Sequence, residues 1–125
     1  VALQTDARIA KLNAALGSLK AGAALARSVQ LTQGLPANAP IQMEGVTISM
    51  VNGYPAAGSI TIAAGIASNE YVVGAIASGT TQVRIATDSA HPNCAVTYQE
   101  AAAGAAATFS NALESSNATD RSNCS

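Results

Sequence analysis

The stretch that decides the fold is ALQTDARIAKLNAALGSLKAGAALARSVQLTQ, Ala2 to Gln33. It holds no proline and is rich in Ala, Leu, Lys, Arg and Gln, the residues that lose least on entering a helix. At 1.5 Å per residue, a helix of about 30 residues is ~45 Å long. Ile9, Leu12, Leu16, Leu19, Ala23 and Ala26 recur at steps of three and four, one face held for about five turns. That face is expected to pack the helix onto a sheet. Leu25 and Val29 widen it, whereas Asp6, Lys11, Asn13, Lys20 and Arg27 fall away from it, so the first half is expected to be less covered than the second. Gly17 and Gly22 each cost about 1 kcal/mol relative to alanine; they either weaken a straight rod or permit a close approach. Val1 supplies no N-cap, and a helix of this length starting without one is expected to continue a preceding segment.

Outward from the helix, Gly34, Pro36 and Pro40 end it, and LPANAP reads as a surface loop. In Ile41 to Val51, Ile41, Met43, Val46, Ile48 and Met50 alternate with polar residues after a slip at Gly45, a bulge or hairpin-turn candidate. Asn52-Gly53 is a turn dipeptide, and Tyr54-Pro55 leaves it extended. Ser59 to Ala67 suits strand or helix, and a short helix is the reading taken. Tyr71 to Ala77 and Thr81 to Ala86 read as strands joined by Ser78-Gly79-Thr80, with Cys94 to Glu100 as another. The expected fold is α+β: a long N-terminal helix on an antiparallel sheet of about four strands, in one domain. Its parts are residues 1–34 (helix), 35–58 (loop and first strand), 59–93 (short helix or strand, and sheet) and 94–125 (C-terminal region).

The chain has 125 residues; hydrophobic residues reach 49%, much of it alanine, and charged residues only 10%, against roughly 25% in an average soluble domain. A surface so poor in charge is built for contact. A net charge of -1 excludes the broad basic face of non-specific nucleic-acid binding. No apolar run is long enough to span a bilayer.

Cys94 and Cys124 belong to no C-x-x-C pair and no zinc-type ligand set, so they read as a structural disulfide formed in an oxidising compartment. Closing a loop of about 30 residues contributes about 3–4 kcal/mol in the chain-entropy model. It does so where burial is thinnest, since Ala101 to Ala107 is nearly pure alanine and Ala112 to Ser125 is rich in Ser and Asn. His91, the single histidine, stands with Asp88 and Ser89 in a proline-containing turn and reads as a turn former. The seven carboxylates are dispersed, phosphate-loop and nucleophile-elbow motifs are missing, and Tyr54, Tyr71, Tyr98 and Phe109 are too scattered for a stacking platform. Arg8, Lys11, Lys20 and Arg27 read as a solvated helix face, and the acceptor tripeptide at Asn117 as a chance match. No catalytic residue, cofactor site or metal site is nominated, and the chain is not read as an enzyme.

Taken together, three segments resemble the type IV pilins, and among them pilins of the mannose-sensitive haemagglutinin (MSHA) type. They are ALQTDAR entering a helix that continues through AALARS, MEGVTISMVNGYP from Met43 to Pro55, and PNCAVTYQEA from Pro92 to Ala101 followed by Cys124. The resemblance implies the soluble portion of a pilin, lacking the leader, the cleavage site and the apolar first half of the helix. It implies a structural subunit that polymerises with its own copies into a surface filament for adhesion, by heterologous contacts that never close. Cys94 to Cys124 would be the family's disulfide-bounded region. The implied location is the extracellular pilus, after the inner membrane and periplasm, with the inner-membrane assembly machinery and a host or abiotic surface as further partners. The other readings are a minor pilin, a type II secretion pseudopilin, and a DNA-capturing pilin that would need Arg8, Lys11, Lys20, Arg27, Arg84 or Arg121 to converge.

Overall fold

Helix α1 runs Ala2–Thr32 without a break at either internal glycine. The computed structural model describes residues 2–75 and 81–125. Ile9, Leu12, Leu16, Leu19 and Ala23 are buried in one apolar cluster together with Ala15, Ile60, Val83, Ile85, Val96 and Tyr98. Ala26 is buried in a second, smaller cluster with Ile41, Ile48 and Met50. One helix face therefore organises two cores in sequence.

The small core lies under two hairpins. Strands β1 (Ile41–Met43) and β2 (Val46–Ile48) pair antiparallel, as do β3 (Met50–Val51) and β4 (Tyr54–Pro55). Their turns, Glu44-Gly45 and Asn52-Gly53, have φ of 51° and 81° and of 52° and 91°, positive at both central residues as a type I′ turn requires. Gly45 is thus a hairpin turn and not a bulge.

Helix α2 (Ile60–Ala64) follows, closed by Gly65 in the left-handed region. The main sheet then takes the order β5-β6-β7-β8, all antiparallel, from Val72–Ala75, Gln82–Ala86, Ala95–Gln99 and Thr108–Phe109. Helix α3 (Ala118–Cys124) ends the chain, its Asn117 side chain accepting from the Asp120 N–H.

Several expectations change. The sheet does have four strands, but the fourth is β8 from the alanine-rich segment, and Ile41 to Val51 stands apart as hairpins. The strand expected over Tyr71 to Ala77 is Val72–Ala75 in its described part; the connection through Ser78-Gly79-Thr80 lies outside the described residues. Leu25 is exposed rather than part of the buried face. The first half of α1 is well covered, because the C-terminal region folds back over it. Asn13 Nδ2 donates to the Leu113 carbonyl, and the Leu113 N–H donates to Asn13 Oδ1, both at 2.8 Å. Arg8 donates to the Cys124 carbonyl at 2.8 Å, and Arg121 pairs with Asp6 at 2.7 Å. The Cys94–Cys124 disulfide, buried at both ends, locks this return.

The two helix glycines differ in kind. A Cβ on Gly22 would stand 2.7 Å from Ala64 Cα and 2.8 Å from Ala63 O, so α2 reaches α1 only because that atom is missing; a Cβ on Gly17 would meet nothing within 4 Å. Gly22→Ala is expected to lower stability by about 1–3 kcal/mol through overpacking against backbone. Gly17→Ala is expected to raise it by up to about 1 kcal/mol through helix propensity. Thermal or urea unfolding checks both, and equal shifts of one sign would overturn the account.

Candidate functional site

The face of α1 opposite the cores is left outward by the packing of the described residues. Leu3, Ala7, Ala10, Ala14, Gly17, Ala21, Ala24, Ser28 and Leu31 follow one another at strictly alternating steps of four and three, and every one is exposed. Leu3 and Leu31, at the two ends, are 77% and 61% exposed. An apolar seam at heptad spacing is what a second helix needs in order to lie alongside, and residues this small let two backbones approach closely. The seam extends for ~42 Å along the helix at 1.5 Å per residue. In the sequence the large aliphatic residues of the opposite face dominate, and the signal for this seam is the unbroken 4-3 spacing of small residues.

Grooves run along both flanks of the seam's C-terminal half. One, of about 520 Å³, is lined by Leu25, Val29, Met43, Val46 and Ile62, with the polar Gln42 and Glu44 among its walls. The other, of about 450 Å³, is lined by Lys20, Arg27, Tyr54, Ala107 and Phe109 among others. Arg27 stacks over the Tyr54 ring at 4.7 Å and donates to the Gly53 carbonyl at 3.2 Å. Gln30 is buried and donates to the carbonyls of Ala37 and Ala39, which holds the loop after α1 against the helix end.

The residues singled out in the sequence are placed as follows. Ile9, Leu12, Leu16, Leu19, Ala23 and Ala26 lie under the sheet and hairpins, and Cys94 with Cys124 joins the start of β7 to the end of α3. The basic residues do not converge. Lys11 sits over the Tyr71 ring at 4.7 Å, Arg8 and Arg121 tie α1 to the C-terminal return, Arg84 lines a groove with Asp88, and Lys20 and Arg27 line another.

His91 is half-buried, its Nδ1 at 2.7 Å from Asp88 Oδ1, and Arg8 Nε lies 3.8 Å from the other oxygen. The hydrogen bond with His91, more than any other contact, holds the Asp88 carboxyl below its ordinary value. This pair shapes the turn into Cys94, whose N–H donates to the His91 carbonyl. Among the described residues no three His, Cys, Asp or Glu side chains group as metal ligands, and no helix is long and apolar enough to cross a membrane.

Tyr98 is buried, its hydroxyl donating to the Pro55 carbonyl at 2.6 Å and its ring tilted against Phe109 at 5.3 Å. Burial first, then the Glu100 and Tyr54 charges, raise its pKa well above the ordinary value of 10.0. The folded state holds this proton more tightly than the unfolded state. The contribution to stability is therefore complete below about pH 10 and is lost as pH rises from there through the folded value. Melting temperature is expected to fall as pH rises above about 10, and Tyr98→Phe is expected to flatten that fall. An unchanged slope in the variant would assign the alkaline transition elsewhere.

Comparison of the chain with protein-family models, with curated proteins and with solved structures gives no match.

Proposed function

We propose that this chain is a type IV pilin of the MSHA type, a structural, non-enzymatic subunit that polymerises into a surface filament for adhesion. The observation that carries the reading is the two-faced helix. One stripe holds the sheet and hairpins, and the opposite stripe of nine exposed small or apolar residues is shaped for neighbouring helices. Copies that meet through non-identical patches extend without closing, which is how one small domain makes a fibre. The disulfide between Cys94 and Cys124 suits a protein matured in the periplasm and displayed outside the cell. On this reading the partners are other copies of the subunit and the inner-membrane assembly machinery. DNA capture is not favoured, because Arg8, Lys11, Arg27 and Arg121 are each engaged by a contact within the chain.

The test is peptide mass spectrometry on filaments sheared from the source cells, beside the variant Ala14→Glu expressed in the same cells. Peptides from Ile9 to Ser125 are expected to dominate the wild-type filaments. Ala14→Glu, on the exposed seam, is expected to leave the melting temperature of the domain unchanged and to remove the subunit from filaments. Trace peptides in the wild type would favour the minor-pilin or pseudopilin reading. Normal incorporation of the variant would remove the seam from the assembly contacts.

A further inference from the structure

Strand β5 carries three features that the chain's own packing does not use. It is an edge of the main sheet, paired with β6 alone among the described residues. It reads Val-Val-Gly-Ala, with neither the charge nor the proline by which edge strands are ordinarily shielded. Val72 and Val73 point to opposite faces and are nonetheless 45% and 37% exposed.

Gly74 is the most telling residue. Its φ lies outside the left-handed region, and a Cβ there would meet nothing within 4 Å. Neither backbone conformation nor a close internal contact requires glycine at this position, although glycine weakens a strand interior. A strand glycine without an internal reason marks the close approach of something from outside. Grooves run beside it on both faces: about 330 Å³ on the side of Val73, Val83 and Thr61, and about 260 Å³ on the side of Val72, Arg84 and Pro92.

We infer that β5 is a self-pairing edge, joining β5 of a second copy antiparallel to make one continuous sheet of both molecules. The unpaired backbone groups of an edge call for another strand, and the side chains select this one. In one sheet two such strands are related by a two-fold axis perpendicular to it, so opposed residues must share a face. The register that sets Val73 against Val73 of the other copy sets each Val72 against the other Gly74. Each Val72 then enters the open space over glycine, and the two Val73 side chains form a β-branched cross-strand pair on the opposite face.

A four-residue strand is ~14 Å long, so the contact is far smaller than the roughly 1,200 Å² of a stable interface. The pairing is therefore weak. It gains strength only where many copies are arrayed, as between filaments lying side by side. That consequence alone rests on the filament reading; the pairing itself does not.

The experiment is amide NMR on the isolated chain from about 0.05 to about 2 mM, repeated with Gly74→Lys and Val72→Lys. The amides of Val72, Val73 and Gly74 are expected to shift and gain exchange protection with concentration. Each lysine variant is expected to weaken the association more than about tenfold while keeping the wild-type melting temperature. Amides of β5 that do not respond to concentration, association undiminished in both folded variants, or shifts confined to the exposed seam of α1 would each overturn the inference. None of these outcomes depends on whether the subunit is found in filaments.

Discussion

Leu16→Asp is expected to leave no folded domain at 25 °C. Leu16 is 3% exposed, in the middle of the cluster that joins α1 to the main sheet, among Leu12, Leu19, Ile60, Ile85 and Val96. The substitution loses the burial of an aliphatic side chain, worth about 2–5 kcal/mol when truncated in a core. It also places a carboxylate among apolar side chains, which either remains charged at a cost of several kcal/mol or takes up a proton. Both terms act against a total stability of about 5–15 kcal/mol for a domain of this kind. Far-ultraviolet circular dichroism and thermal unfolding measure the result. A cooperative transition near the wild-type temperature would mean that this face of α1 is not the core face.

The second large effect is expected at the disulfide. Cys94 and Cys124 are both fully buried, and the covalent bond joins the start of β7 to the last turn of α3. Cys94→Ser opens a loop of about 30 residues, a loss of about 3–4 kcal/mol in the chain-entropy model. It also leaves a hydroxyl in an apolar cluster. The region after Ala101 has little burial of its own: Ala101, Ala107 and Cys124 are its buried residues, with Leu113 and Phe109 packed at the margin. Its polar hold on α1 includes the Asn13–Leu113 pair of hydrogen bonds and the Arg8 and Arg121 contacts. Limited proteolysis is expected to cut Cys94→Ser within residues 101–125 while α1 and strands β5 to β7 survive, and to leave the wild type intact. Identical digestion of the two proteins would mean that the polar contacts suffice without the bond.

Loss of the disulfide and alkaline pH act at opposite ends of β7. Tyr98, near its C-terminal end, ties the sheet to the β3–β4 hairpin through Pro55, whereas Cys94 ties its start to α3. The two perturbations are expected to weaken different attachments of the same strand.

The long helix, its aliphatic stripe and the Asn52-Gly53 turn were legible because each is a local property, whereas Gly45 left a bulge and a hairpin turn both open. Helix propensity and the 3.6-residue period act within a few residues, and Asn-Gly readily takes the positive φ that a type I′ turn needs. The membership of the main sheet was not legible. Ile41 to Val51 alternates as well as any segment of the chain, while Thr108–Phe109 is a two-residue strand beside an alanine run. Pairing between distant strands is decided by which side chains meet, as Tyr98 meets Phe109, and no local pattern records it. The exposed seam of α1 was written in the sequence and was overshadowed by the larger side chains of the opposite face. Gly22 was legible as one of two places for a close approach, but its partner was not, and the roles of Asn13 and Arg8 had no local signal, because each depends on a partner about 40 or more positions away.

By itself, the sequence determined a charge-poor α+β domain whose helix has a face to bury, whose hairpin turns are placed by glycine, and whose two cysteines have each other as partners. Only the tertiary structure decided that the buried face serves two cores, that the C-terminal return covers the first half of the helix, and that a small-residue seam and an unshielded edge strand are left facing outward. The physical reason is the range of the interactions. Propensity, period and turn chemistry are summed over neighbours in the chain. Coverage and exposure are set by which distant segments fill the space beside them.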